Sequence, residues 1–292
     1  MAAYSSLDLT ELKALAVQYG VRFNRAEQVK GGMANTSYLL DDSHILSVLN
    51  NHDEASANEL AGIVAHVSSH GVETPELIER LEGGTVTSAG ATPVILRPFI
   101  PGIPLSERPD QRPADIGELL AKIHTVPPLS GFRSRLRRIP ASWRNDLAGH
   151  SCADLVAAIE TAEAFEASGA FERDAFVFTH GDLFPDNIIE RPDGSLVPID
   201  WEAAAMDSAL FDLGITLVTA ASAKDGFSDA RVGTMIDGYR RMRVFDWDDE
   251  LILKAGKYAT AMLAFSRFMR HHIRFPNPAM HDSYKEMLAF AR

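Results

Sequence analysis

The chain has 292 residues, 46% hydrophobic and 23% charged, a globular composition whose length suits one large domain or two lobes that each bury a core. A formal net charge of −12 repels phosphate backbones and argues against nucleic acid as a partner. The single cysteine, Cys152, excludes a disulfide framework within the chain and a cysteine-rich zinc site.

The first twenty residues lack a basic start followed by an apolar run, so no signal peptide is expected. The most apolar stretch, 213–223, is about half the length that spans a bilayer. The expectation is a cytoplasmic protein with no membrane partner, either monomer or homodimer. A helix is expected over 9–19, with Asp8 as N-cap, Glu11 completing a capping box, and Gly20 as the stop. Residues 29–40 read as strand, turn and strand around Gly31–Gly32, and 44–50 as a third strand. A helix over 54–70 puts Leu60, Ile63, Val64 and Val67 on one face. ELIERL (76–81) and PVILRPFI (93–100), with Gly83–Gly84 as a turn, complete a five-stranded reading. The prolines and glycine of 97–105 suggest a stiff hinge near 97–101, dividing an N-terminal lobe (1–98) from a C-terminal one (99–292). Beyond it, helical spacing recurs over 113–125, 151–168, 208–222, 228–242 and 248–274. Between these lies a strand, loop and hairpin over 176–202. This is an α+β order: a sheet-rich N-terminal lobe followed by a helix-rich one.

The informative segment is His180-Gly-Asp-Leu-Phe-Pro-Asp-Asn187, followed by Ile199-Asp200-Trp-Glu202. Pro192-Asp-Gly-Ser195 is a turn signal between two apolar runs. A turn centred between Asp193 and Gly194 sets Asn187 opposite Asp200, with cross-strand Cβ atoms roughly 5 Å apart. A carboxylate and an amide oxygen converging there suit Mg2+, a hard ion that takes oxygen ligands and phosphates. Asp182 precedes Asn187 by five residues, the spacing of a kinase catalytic loop, where a carboxylate orients an acceptor hydroxyl and takes its proton. Taken singly, each Asp reads more readily as a solvated turn residue; the combined pattern is what points to phosphoryl transfer.

HGDLFPDNII, PIDWE and SALFDLG together resemble the aminoglycoside phosphotransferase and choline kinase superfamily. GGMANTSYLL, HILSVLN, THGDLFPDN and SALFDLGITL look most like type II homoserine kinases, over residues 4 to 274. The resemblance implies a protein-kinase-like two-lobed fold, with a five-stranded antiparallel N-terminal sheet plus helix and a helix-rich C-terminal lobe. It implies ATP and Mg2+ as cofactors and a small-molecule hydroxyl acceptor, with Asp182 as catalytic base and Asn187 and Asp200 as metal ligands. His180 would organise the catalytic loop. Asp212 would either brace that loop or cap a helix, and Glu202 would either reach metal-bound water or an acceptor amine, or stand in solvent. The Gly31–Gly32 turn would lie over the phosphates, with Ala34, Asn35 and Thr36 offering backbone N–H groups.

Two positions depart from the pattern. The third-strand lysine of kinase-like folds is replaced here by Ser47, which resembles the threonine that type II homoserine kinases carry in its place; a non-catalytic nucleotide-binding pseudokinase is the competing reading. Lys30 offers a charge nearby, or is simply solvated. Glu202 looks more like the aminoglycoside and choline/ethanolamine-type kinases, which keeps an amine acceptor beside a homoserine-like one. Arg267, His271 and Arg274 share a helix face and either grip an acceptor carboxylate, with Arg267 foremost, or complement a helix C-terminus. A polycationic acceptor would use Asp207, Asp246, Asp248 and Asp249 instead.

Overall fold

The computed structural model describes residues 7–29, 35–129, 131–132, 137–172, 176–220, 222–223 and 226–289. They form two compact units: residues up to 103 together with 189–202, and residues 104–188 together with 203 onward.

The first unit opens with α1 (Leu9–Val17). Asp8 accepts from the N–H groups of Thr10 and Glu11 while Glu11 reaches back to the N–H of Asp8, the reciprocal cap expected from the sequence. Gly20 ends the segment in left-handed backbone. Then follow β1 (Ala26–Gln28), β2 (Thr36–Leu40), β3 (His44–Val48), α2 (Glu54–Ser69), β4 (Val86–Ala89) and β5 (Thr92–Pro98). These five strands pair antiparallel in the order β1-β2-β3-β5-β4.

Residues 76–81 do not form the expected strand; the fifth strand is β4, further along the chain. Ile78 donates one hydrogen bond to the Leu96 carbonyl, but the Gly83–Gly84 turn comes too soon to return the chain to β5. Val86–Ala89 does so instead, turning at Gly90 to pair Ala89 with Thr92.

Strand alternation divides the sheet into two faces. One carries Tyr38, Leu40, Leu46, Val48, Val94 and Leu96, buried against Leu12, Leu15 and Ala16 of α1 and Tyr19 and Phe23 beyond it. Each such side chain contributes about 1.5–3 kcal/mol by leaving water. The opposite face carries Ser37, Ile45, Ser47, Ile95 and Arg97.

After the two-residue strand β6 (Ile103–Pro104) come α3 (Pro113–Ile123), α4 (Trp143–Asp146), α5 (Ala153–Ala167) and β7 (Phe176–Thr179). A hairpin of β8 (Ile188–Glu190) and β9 (Leu196–Pro198) leads to β10 (Ala205–Ser208) and α6 (Ala209–Ala220). The chain closes with β11 (Ser222–Ala223), β12 (Gly226–Phe227), α7 (Asp229–Met242), α8 (Asp249–Phe268) and α9 (Ser283–Leu288). Helix α6 is apolar on nearly every side and is the buried axis of the second unit. Helices α3 and α7 touch backbone to backbone: a Cβ on Gly117 would lie 2.1 Å from the Met235 carbonyl, and one on Gly238 2.0 Å from that of Ala114. Beyond α8, residues Met269–Arg274 widen into a π-helical turn.

Candidate active site

In the second unit, β7 pairs antiparallel with β10 and delivers the chain to His180. The Asp212 carboxylate, on the first turn of α6 and completely buried, accepts from the N–H of His180 and the N–H of Gly181, each at 2.9 Å. It also meets the His124 Nε2 at 3.0 Å, and His124 Nδ1 lies 2.7 Å from the Tyr239 hydroxyl. Burial alone would favour a neutral carboxyl, but the hydrogen bond and charge of His124, the charge of His180 and the Gly181 N–H hold it below the usual carboxylate range. Of the two roles open for Asp212, the contacts are those of a brace for the loop.

Gly181 has φ +75°, and a Cβ there would stand 2.4 Å from the Ala203 carbonyl. The close approach and the left-handed backbone both require glycine.

Asp182 follows in a turn that closes on itself. The Phe184 N–H donates to the Asp182 carbonyl and the Asn187 N–H to the Phe184 carbonyl, both at 2.8 Å. The Asn187 amide nitrogen donates to the Asp182 carbonyl at 2.9 Å and to its carboxylate at 3.2 Å. With that nitrogen committed, the amide oxygen is the atom Asn187 has left for a cation. Burial pushes the Asp182 carboxyl up to about 6, with the charges of Asp186 and Asp212 adding and those of Arg137 and the Asn187 hydrogen bond subtracting.

Arg137 was not anticipated. Its guanidinium donates to the Gly181 carbonyl and lies within charge range of Asp182. The next residue, Arg138, is the anchor that sets its position. Arg138 makes a bidentate pair with buried Asp207 (2.8 and 3.0 Å) and sits over the rings of Phe171 and Phe211. The Tyr258 hydroxyl, itself bonded to Glu166, accepts from the Ile139 N–H. No periodicity or motif in RLRRIP marks these roles.

In the first unit, the β8–β9 turn differs by one residue from the expected register. The Gly194 N–H donates to the Arg191 carbonyl, Gly194 has φ +84°, and the Arg191 N–H bonds the Ser195 carbonyl. This is a three-residue loop with a left-handed glycine, favoured because Asp193 takes the N–H and hydroxyl of Ser195. Asn187 lies in a helical turn before β8, outside the ladder, so the expected facing of Asn187 and Asp200 does not follow from strand pairing.

Asp200 follows β9, exposed and with φ +65°, a left-handed conformation uncommon outside glycine and asparagine. Trp201 is buried with its indole N–H on the Thr74 hydroxyl, which in turn donates to the Pro198 carbonyl, fixing the turn. Glu202 is occupied on both oxygens. One accepts from the Asn35 amide, and the other lies 3.5 Å from His52 Nε2. Burial works against its charge, but these two partners hold it below the usual range.

Gly31, Gly32, Ala34 and Lys30 lie outside the described residues. Thr36 is buried in the sheet, with its hydroxyl accepting from Asn50. The Ser47 hydroxyl shares a 2.8 Å hydrogen bond with Ser37 across the β2–β3 pair.

The remaining candidates are held within the second unit. Arg267 donates to the Ser283 carbonyl and pairs with Glu286 of α9. The π turn after Met269 breaks the 3.6-residue repeat that would stack Arg274 over it. Asp207 belongs to Arg138, Asp248 caps α8, and Asp249 pairs with Arg240, so these carboxylates are engaged locally and not gathered as a polycation site. Among the described residues, no three His, Cys, Asp or Glu side chains cluster to hold a metal ion. Asn187 and Asp200, each within its own unit, present oxygen donors of the kind that Mg2+ takes.

A five-stranded antiparallel sheet, a helix-rich second unit and a carboxylate held in a braced loop define the class of kinase-like phosphoryl-transfer proteins. The chain belongs to the phosphotransferase enzyme family, whose model matches residues 25–249. It is an enzyme, a small-molecule kinase. It is 26% identical over 260 residues to a homoserine kinase of Methylobacillus glycogenes, covering 85% of this chain and 80% of the relative. Its fold matches a spectinomycin phosphotransferase crystallised with ADP and spectinomycin, at a TM-score of 0.75 and 15% identity, over 98% of this chain and 94% of that one. A microcompartment-associated aminopropanol kinase matches at a TM-score of 0.71 and 18% identity, over 97% and 94%. No described helix is long and apolar enough to cross a membrane.

Proposed function

We propose that the protein transfers the γ-phosphate of ATP to the hydroxyl of a small amino acid, with a homoserine-like acceptor foremost. In this reading the first unit binds the nucleotide and the second carries the catalytic loop and the acceptor. Asp182 orients the acceptor hydroxyl and takes its proton. Asn187 and Asp200 would hold the Mg2+ ion, which supplies neutralisation of the triphosphate charge.

The observation that carries the reading is Asp182 itself. A buried carboxylate raised to about 6 is a base poised near neutral pH. Asp212 fixes the backbone before it and Asn187 its own carboxylate, so the group is preorganised.

The acceptor class follows from charge. Glu202 is already engaged by Asn35 and His52, which supports a local role for it over the grip on an acceptor amine. Arg137, beside Asp182, is a cation in place for an acceptor carboxylate. The homoserine kinases among the curated relatives support the same class.

The test is a coupled ADP-release screen over hydroxylated amino acids, amino alcohols, choline and aminoglycosides, with Asp182→Ala as control. Turnover of homoserine above the control supports the proposal. Turnover confined to choline or an aminoglycoside replaces the acceptor, and equal background in both proteins replaces the enzyme with a nucleotide-binding module.

A further inference from the structure

The sheet lacks a lysine at Ser47, yet nucleotide phosphates need a fixed cation. Among the five strands of the β1–β5 sheet there is one Lys or Arg, and it is Arg97 on β5. Ser47 pairs with Ile95, so Arg97 is its diagonal neighbour, on the same face of the sheet. Such diagonal pairs stand roughly 7–8 Å apart, within reach of a long side chain. Arg97 is therefore rooted one strand over from the missing lysine and can bring its guanidinium to the same space.

Two further observations point to an anion there. Ser47 brings no charge to a phosphate, and its hydroxyl already shares a hydrogen bond with Ser37. Arg97 is half-buried, and among the described residues no hydrogen bond or ion pair takes its guanidinium; the charge that faces it is Asp200. A cation withdrawn from water without a bonded partner is costly, and a ligand that supplies the partner recovers that cost. Asp200, in the same unit, is the residue read above as a metal ligand for the same phosphates.

The structure assigns Arg97 as the phosphate-binding cation of this chain: from the face it shares with Ser47, it takes the place of the absent third-strand lysine against the α- and β-phosphates of the bound nucleotide. This rests on the phosphotransferase reading but adds a residue outside the motif that carries it. An arginine presents two parallel N–H donors where a lysine presents a point charge, and it cannot lose its proton at working pH.

The test is direct binding, measured by calorimetry, of adenosine, AMP, ADP and a non-hydrolysable ATP analogue to the wild type and to Arg97→Met and Arg97→Lys. Melting curves establish that each variant is folded. Arg97→Met is expected to weaken ADP and ATP-analogue binding by about tenfold or more while adenosine binding stays within about twofold. Arg97→Lys should recover part of the loss. The double variant Arg97→Met with Ser47→Lys should recover it too, by restoring a cation to the same space. ADP binding unchanged in Arg97→Met, or adenosine and ADP weakened in equal proportion, overturns the assignment. If Arg97→Met fails to fold, the lysine variant decides: adenosine and ADP changing together again overturns it. A wild type that binds no nucleotide is a separate result, and sinks the kinase reading itself.

Discussion

Asp212 and His124 meet at 3.0 Å with both side chains fully buried, and through this pair two helices far apart in sequence hold the backbone at His180 and Gly181. His124 ends α3, and Tyr239 of α7 bonds its other nitrogen. The loop is thus tethered to the α3–α7 contact, the helices whose glycines bring their backbones together.

Removing one partner of a buried pair leaves the other charged and unpaired, at about 3–5 kcal/mol. His124→Phe should therefore lower the denaturation midpoint sharply at neutral pH, read by urea titration followed by circular dichroism. The Asp212 carboxyl is held below its ordinary range, so its contribution is present above the unfolded-state carboxylate pKa and disappears as pH falls through the folded value. The gap between wild type and His124→Phe should accordingly narrow in acid. An equal gap at every pH would mean the cost is packing and not charge.

Gly181→Ala tests the loop's geometry. The added methyl would meet the Ala203 carbonyl at 2.4 Å in a backbone conformation that alanine resists. Turnover should fall by about a hundredfold or more, with nucleotide binding little changed, because the displaced group is the one two bonds ahead of Asp182. Nucleotide affinity from calorimetry, set beside kcat, separates this from global unfolding.

How much of this was legible in the sequence depends on how far apart the partners lie. The α1 cap needs only Asp8 and Glu11, and it formed as the spacing required. Asp182 and Asn187 stand five positions apart, and a partnership that local joins their side chains in one turn. The β8–β9 register failed by one residue because a two-residue and a three-residue turn share the same Asp-Gly signal, and the choice lay in the backbone of Gly194. Arg97, Arg137, His52 and His124 went unread because each acts on a partner more than 40 residues away, and no periodicity records such a meeting. Arg267 shows the converse: a plausible helix face in sequence, it is committed to α9 in three dimensions.

Under the proposed function, Arg137 would tune the base it accompanies. Its charge lowers the Asp182 carboxyl from where burial alone would set it. Arg137→Met should move the acid limb of the kcat/KM profile to higher pH, and Arg137→Lys should move it part of the way back. A carboxylate acceptor should also show a raised KM in Arg137→Met, whereas an amino alcohol lacking the carboxylate should not. An unmoved acid limb would leave Arg137 a structural tie to Gly181 alone.

Asp182 carries opposed consequences for stability and turnover. Its carboxyl sits at about 6 in the folded chain against 3.8 as the ordinary value, so the folded state binds the proton more tightly than the unfolded state does. The charged form therefore opposes folding at neutral pH. That penalty is complete above about pH 6, falls away as pH drops through the folded value, and is gone below the unfolded one. Asp182→Asn removes the charge while keeping the shape. At pH 7.5 it should stabilise the protein by about 1–3 kcal/mol, less whatever the Asn187 and Arg137 contacts contributed, and at pH 4 most of the gain should be lost. The same substitution should reduce kcat by about a hundredfold or more, since the proton acceptor is lost. Paired melting curves at the two pH values, with turnover measured on the same samples, check both halves. A variant that is inactive but no more stable at neutral pH would show that the native contacts of Asp182 already offset its burial, and that the base is held without strain.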